Sequence, residues 1–212
     1  NSVLFVSRPQ FNPSREGATE ALQWLEQEFK TSKINHDQVI LAMHVPPQSW
    51  ESTYKTPFKK IIKTYPETVI GMLAAHSHFD EIHAIKIANK DFVIPIIYSA
   101  SIGVDHGNAS SFKTITLSRQ DENTPWQLKN YITYNFIGAT ASKSQLNQYY
   151  DFNQAFCSGT STETVATCLK KHISKNNFDK TTSTLMSQHY TAGNPNNIQK
   201  IDPSSRWIMS IK

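Results

Sequence analysis

Gly71-Met72-Leu73-Ala74-Ala75-His76-Ser77-His78-Phe79-Asp80 is the stretch on which the reading of this chain turns. An apolar run from Val69 to Ala75 ends in two histidines one residue apart. A strand alternates its side chains with a period of two, so a strand through this stretch places His76 and His78 on one face. Two imidazoles on one face at a strand end are the beginning of a metal site. A second apolar run, Gln38 to Met43, leads into His44 and then Val45-Pro46-Pro47. Two strands that each deliver histidine at the C-terminal end fit ligand binding beyond the carboxyl ends of an α/β sheet. Taken singly, each histidine also reads as a structural or surface residue, because short motifs match by chance. The recurrence at two strand ends is what favours ligation.

These residues carry a resemblance. His44-Val45-Pro46-Pro47 is similar to the "GHxPP" block of the calcineurin-like metallophosphoesterases, and Ala75-His76-Ser77-His78-Phe79-Asp80-Glu81 to their "GHTHxDE" block. Gln23-Trp24-Leu25-Glu26 resembles the "QxxWLE" helix of the acid sphingomyelinase-like phosphodiesterase branch. Ser99-Ala100-Ser101 and Asp105-His106-Gly107-Asn108 resemble its "SPS" and "NPG" segments, and Cys168-Leu169-Lys170-Lys171 its cysteine-containing C-terminal helices. The resemblance spans residues 1–190 and is specific over 18–83. The glycine before each histidine is replaced, by Met43 and by Ala75.

The resemblance implies an α/β fold: the C-terminal half of a metallophosphoesterase β-sandwich flanked by helices (1–138), followed by a small helical region (139–212). It also implies a phosphodiesterase with two divalent metal ions about 3.5–4 Å apart, sharing an aspartate and a water that attacks phosphorus in line. His44 and His76 would ligate one metal and His78 the other. Asp80 would orient an imidazole through its N–H. Zinc suits imidazole nitrogen, with manganese or iron as the alternatives. Three histidines do not complete two sites. The family's DxH, GDxxD and GNH(D/E) blocks have no match here, so the chain reads as the C-terminal portion of a larger enzyme whose N-terminal portion supplies the other ligands. The expected substrates are phosphodiesters, of sphingomyelin-like lipid or nucleotide type.

Composition sets outer bounds. Hydrophobic residues make up 38% and charged residues 18%, enough apolar content for a packed core. The net charge of +4 comes from scattered lysines rather than a basic stripe, which argues against a nucleic-acid surface. A weak positive field still suits anionic substrates. No apolar run approaches the roughly 20 residues of a membrane span. Cys157 and Cys168 read as a disulfide closing a loop of about 12 residues, in a polar region short of apolar packing. The alternative is two buried thiols. A disulfide implies an oxidising compartment, hence a secreted or lumenal protein. Asn108-Ala109-Ser110 is a glycosylation sequon of the kind that arises by chance.

Along the chain, Val3 to Val6 predicts a short strand, followed by a loop through Pro9 and Pro13. Ala18, Leu22, Leu25 and Phe29 recur on one helical face, with Trp24 beside them as a core residue. Gln48 to Tyr54 predicts a loop whose Trp50 and Tyr54 either line a substrate mouth or pack on each other. Pro57 marks a helix start and Pro66 its end. Ile82–Ile87 and Phe92–Tyr98 predict a hairpin turning at Asn89-Lys90-Asp91, with Pro95 implying an edge or a bulge. His83 reads as structural or as support for a ligand. Residues 112–117 and 128–136 predict two antiparallel strands. Helices are expected over 143–156, 162–174 and 179–189, with His172 and His189 exposed on them and Trp207 to Met209 packing back on the body. No serine-hydrolase elbow or glycine-rich phosphate loop competes with the histidine reading. The alternative function is a non-catalytic interaction module that kept the fold and lost the metals.

Overall fold

The computed structural model describes residues 2–6, 17–87, 90–138, 143–157, 163–174, 177–197 and 207–211. The loop expected through Pro9 and Pro13 and residue 89 of the expected hairpin turn lie outside them. The fold is mixed α/β, with five α-helices and three sheets among the described residues.

The central sheet has five strands. β1 (Val39–Ala42) pairs in parallel with β2 (Val69–Ala74), and α2 (Ser52–Thr64) makes the crossover between them. β3 (Ile82–Ile87) and β4 (Phe92–Tyr98) form the expected antiparallel hairpin. β4 lies against β2 in parallel, and β10 (Ile208–Ile211) pairs in parallel with β3, giving the order β1-β2-β4-β3-β10. Strand alternation splits the apolar residues between two cores. On one face Met72, Ile85, Ile87, Ile94 and Ile96 meet α1 (Ala18–Asn35) and α2. On the other, Ile82, Ala84, Val93 and Ile97 meet Leu128 and Tyr131 of a second, three-stranded sheet. That antiparallel sheet is β5 (Ser110–Ser118), β6 (Gln127–Ile137) and β7 (Gln145–Asp151). The short α3 (Phe152–Phe156), α4 (Val165–His172) and α5 (Lys180–His189) share the second core. A two-stranded hairpin, β8 (Ile173–Ser174) with β9 (Asn177–Phe178), lies between α4 and α5.

Five local expectations change. Ser2–Phe5 is a 3-10 turn rather than a strand. It is held by contacts distant in sequence: Val45 N donates to Ser2 Oγ (2.8 Å), and Phe5 packs on Trp50 with ring centroids 4.3 Å apart. Pro57 lies inside α2, which begins at Ser52, and the added turn buries Tyr54 on the face of Phe58, Ile61 and Ile62. Trp50 and Tyr54 are therefore core residues, not a substrate mouth. Trp24 is 62% exposed, because the buried stripe of α1 is Ala18, Leu22, Leu25 and Phe29 alone. Pro95 sits in the buried central strand β4; the pairing with β2 begins only at Ile96, so the proline falls just outside that ladder.

The fifth change is the largest. Residues 145–151, expected as helix, form β7 on the edge of the second sheet, and only Phe152–Phe156 is helical. Polar residues on an exposed edge strand carry little helix-or-strand information of their own; pairing with β6 decides. The chain beyond residue 138 thus supplies one strand to each of the two larger sheets, β7 and β10. The Cys157–Cys168 disulfide is formed and ties the end of α3 to α4, with the two Cα atoms 5.6 Å apart.

Candidate metal centre

β1 and β2 run parallel and end side by side, so their following residues leave the same edge of the sheet. The pairing continues past the strands: Met43 N donates to Leu73 O (2.9 Å) and Ala75 N to His44 O (3.1 Å). This register sets His44 beside His76, with ring centroids 5.2 Å apart and planes at 77°. Two imidazoles bound to one zinc, each nitrogen about 2.0–2.1 Å from the metal, have centroids roughly 5 Å apart. The pair therefore fits a shared divalent ion, with His44 exposed to solvent.

His78 arrives by a different route from the one expected. β2 stops at Ala74, so strand parity does not set its direction. His76 and His78 instead adopt left-handed backbone, with φ of 79° and 69°. Such conformations cost a non-glycine residue on the order of 1–3 kcal/mol and persist only where the surroundings fix them. Here the fixing bonds are Ser77 N to Ala75 O (3.0 Å), Ser101 N to His78 O (3.2 Å) and Asp80 N to Tyr190 O (2.9 Å). Phe79 stacks on Tyr190 at 4.2 Å. Met43 and Ala75, the two replaced glycines, have negative φ, so neither substitution strains the chain. Nδ1 of His78 is buried with no hydrogen-bond partner. Its ring meets that of His106, with centroids 4.1 Å apart.

Asp80 does different work from that expected. Its carboxylate is 3% exposed and accepts from Lys113 Nζ on both oxygens (2.8 and 2.7 Å), from Tyr150 OH (2.9 Å) and from Thr133 Oγ1 (3.3 Å). A carboxylate offers about four acceptor positions, and these bonds fill them. Lys113, Thr133 and Tyr150 occupy one register row across β5, β6 and β7. The lysine also lies over the ring of Tyr131, at 4.7 Å. Burial pulls the Lys113 ammonium down from its ordinary value, against the attraction of Asp80. Burial and the same carboxylate push the phenols of Tyr131 and Tyr150 well above theirs. Asp80 thus anchors the far end of the histidine loop to the second sheet.

The other histidines sort by burial. His83 is structural, as expected: Nε2 donates to Glu81 (2.5 Å), Nδ1 accepts from Tyr98 OH (3.1 Å), and the ring stacks on Trp207. Desolvation lowers its pKa. His189 is not an exposed helix residue; it stacks on Tyr150 at 4.2 Å and bonds Tyr149 OH, and burial lowers its pKa too. His172 is half-buried against Asp179. The sequon is closed: Asn108 is 1% exposed, and its amide nitrogen lies 2.9–3.0 Å from the carbonyl oxygens of Ser101, Gly103 and Ala109.

Among the described residues, one set of three potential ligand atoms lies within 4.8 Å of one another: Cys157, Glu163 and Cys168. Its sulfurs are bonded to each other and offer no thiolate. His44, His76 and His78 accordingly make a pair and a separate third imidazole, not a closed set. Sequence reasoning missed His106 and Lys113. No local signal marks the first. A lysine in an otherwise strand-like run hints at the second, but the register row that gives it partners is invisible in sequence.

No family model matches the chain. It is similar to "Sphingomyelinase phosphodiesterase D" of Dictyostelium discoideum, at 26% identity over 61% of this chain. The matched part spans 32% of that relative's length. The likeness supports a sphingomyelinase-like relationship at a coarse level. No helix among the described residues is long and apolar enough to cross a membrane.

Proposed function

We propose that this chain is part of a metal-dependent phosphodiesterase and contributes imidazole ligands to a binuclear site. The observation that carries the reading is the His44–His76 pair, set at metal-sharing distance by two parallel strand ends. The likeness to "Sphingomyelinase phosphodiesterase D" and the buried, unpartnered Nδ1 of His78 support it. His44 and His76 hold one divalent ion and His78 a second, zinc being the best fit to nitrogen donors. Bound ions would lower the pKa of a water and absorb charge on the phosphoryl oxygens. The chain's own part is to present the imidazoles on a loop braced at Ala75, Asp80 and His78 O, so that ligand geometry is set before substrate arrives. Three histidines are too few for two ions, so the remaining ligands come from a further portion of the same enzyme. The disulfide supports reading the compartment as oxidising, and so the protein as secreted or lumenal.

One observation favours a lipid over a nucleotide substrate. Ile102 and Val104, 74% and 57% exposed, project from the 101–109 loop that also carries His106. Apolar side chains held in water beside a polar site suit a lipid surface.

The test is hydrolysis of bis(4-nitrophenyl) phosphate and of sphingomyelin vesicles by the enzyme complexed with its remaining portion, before and after chelation. Chelation should abolish both activities and zinc should restore them. His76→Ala should lower both by on the order of 100-fold or more, as loss of a group acting in the transition state does. Activity that survives both treatments sinks the proposal, as does a complex that never binds metal; the latter would favour the interaction-module reading.

A further inference from the structure

The fold brings a fourth imidazole to this edge of the sheet, and nothing in the sequence pattern calls for it. His106 lies 28 residues beyond His78. It nevertheless stands against that ring at 4.1 Å and edge-on to Phe79 at 6.4 Å. The backbone beneath it is firmly held. Asn108 ties three carbonyls of the loop together from a buried position. Gly107 has φ of 79°, and the amide nitrogens of Asn194 and Asn197 donate to its carbonyl at 2.8 and 2.9 Å. A side chain at residue 107 would be strained at this φ, and its Cβ, 2.1 Å from the Asn197 amide nitrogen, would displace that donor. Ala109 N donates to Thr191 O and Ser101 N to His78 O, which locks the loop to the histidine turn itself. A rigid backbone under an exposed imidazole is how a ligand is presented rather than how a surface residue is left free.

We propose that His106 is a metal ligand paired with His78, so that the chain presents two two-imidazole half-sites for zinc-like divalent ions: His44 with His76, and His78 with His106. This rests on the metal reading above and extends it to a residue outside the two histidine blocks. The buried Nδ1 of His78 lacks a hydrogen-bond partner, and a buried nitrogen without one is costly unless something such as a metal satisfies it. The present stacking distance is shorter than the roughly 5 Å of two rings on one ion. His106 is exposed, so its ring is free to turn about its side-chain bonds while the fixed backbone keeps it in reach.

The experiment is calorimetric zinc titration of the 212-residue chain, first stripped of metal, as wild type and as His44→Ala, His106→Ala and His106→Phe. Phenylalanine keeps a ring over His78 and removes the nitrogen. Two zinc ions per wild-type chain are expected. His44→Ala should weaken one site, and both His106 variants the other, each by tenfold or more. Co²⁺ absorption bands should fall by a matching fraction. If His106→Phe binds like wild type, the ring merely packs and the inference fails. If both His106 variants keep two ions while His44→Ala loses one, the inference fails and the metal reading stands. A wild-type chain that takes up no zinc overturns both.

Discussion

Asp80 lies two residues beyond His78, yet the two side chains are treated in opposite ways. The aspartate is buried and every acceptor position is filled by Lys113, Tyr150 and Thr133. The histidine has left-handed backbone, a buried nitrogen without a partner, and a second imidazole pressed against it. One cluster is complete as it stands. The other carries strain and an unmet bond, which is what a fold tolerates where a ligand is to be held. Within five residues the chain passes from a group that supports the fold to groups that the fold supports.

The sharpest way to break this contrast is Lys113→Met. It leaves the Asp80 carboxylate buried without its countercharge, and such losses destabilise by about 3–5 kcal/mol. Urea denaturation should show a drop of that size, and Lys113→Arg should recover only part of it, because the pocket between Tyr131 and Tyr150 fits an ammonium. A loss under 1 kcal/mol would mean that the aspartate is not the anchor.

Acidification probes the same side of the comparison. Burial lowers the pKa of His83 and of His189 below the ordinary 6.5. The unfolded imidazoles therefore take up protons first as the pH falls through 6.5, and folded stability is lost from there downward. The melting temperature should be flat above neutrality and fall as the pH drops below 6.5. His189→Gln should make that fall shallower. A melting temperature that rises on acidification would contradict the assigned burial of both rings.

On the histidine side the expected sign reverses. His78→Gly removes a side chain from a position where φ is 69° and deletes the unpartnered nitrogen. Glycine adopts that conformation without strain, so the variant should gain about 1 kcal/mol in urea denaturation. It should also lose one zinc site. A variant that is both less stable and still fully metal-binding would place His78 among the supporting residues with Asp80.

How much of this was legible beforehand follows the same divide. The two apolar runs, the histidines that end them and the stripe of α1 are local patterns, and the structure keeps all of them. The expected hairpin and the Cys157–Cys168 bridge formed as well. What failed depended on pairing between distant segments. β7 reads as helix until β6 supplies a neighbour, and Trp24 reads as core until the width of the buried stripe is known. Asp80 sits inside a recognisable motif, but its partners come from β5, β6 and β7, and only the register Lys113–Thr133–Tyr150 puts them in one row. His76 and His78 were expected to share a face by strand parity. They reach the same edge of the fold by two left-handed turns after the strand has ended.

The mildest substitution bears on what the open side of the comparison is for. Ile102 and Val104 stand in water on a loop tied down by the Asn108 amide and by the bond from Ser101 N to His78 O. Neither packs in the two main cores. Ile102→Asp should therefore change stability by no more than about 0.5 kcal/mol, the usual range for surface sites. If the loop meets a lipid surface, the same variant should lower hydrolysis of sphingomyelin vesicles several-fold while leaving bis(4-nitrophenyl) phosphate untouched, because only the vesicle substrate needs apolar contact. Equal loss on both substrates would place Ile102 in the architecture of the histidine site. No loss on either would leave the loop's purpose to His106 alone, and would shift the balance from lipid towards nucleotide phosphodiesters.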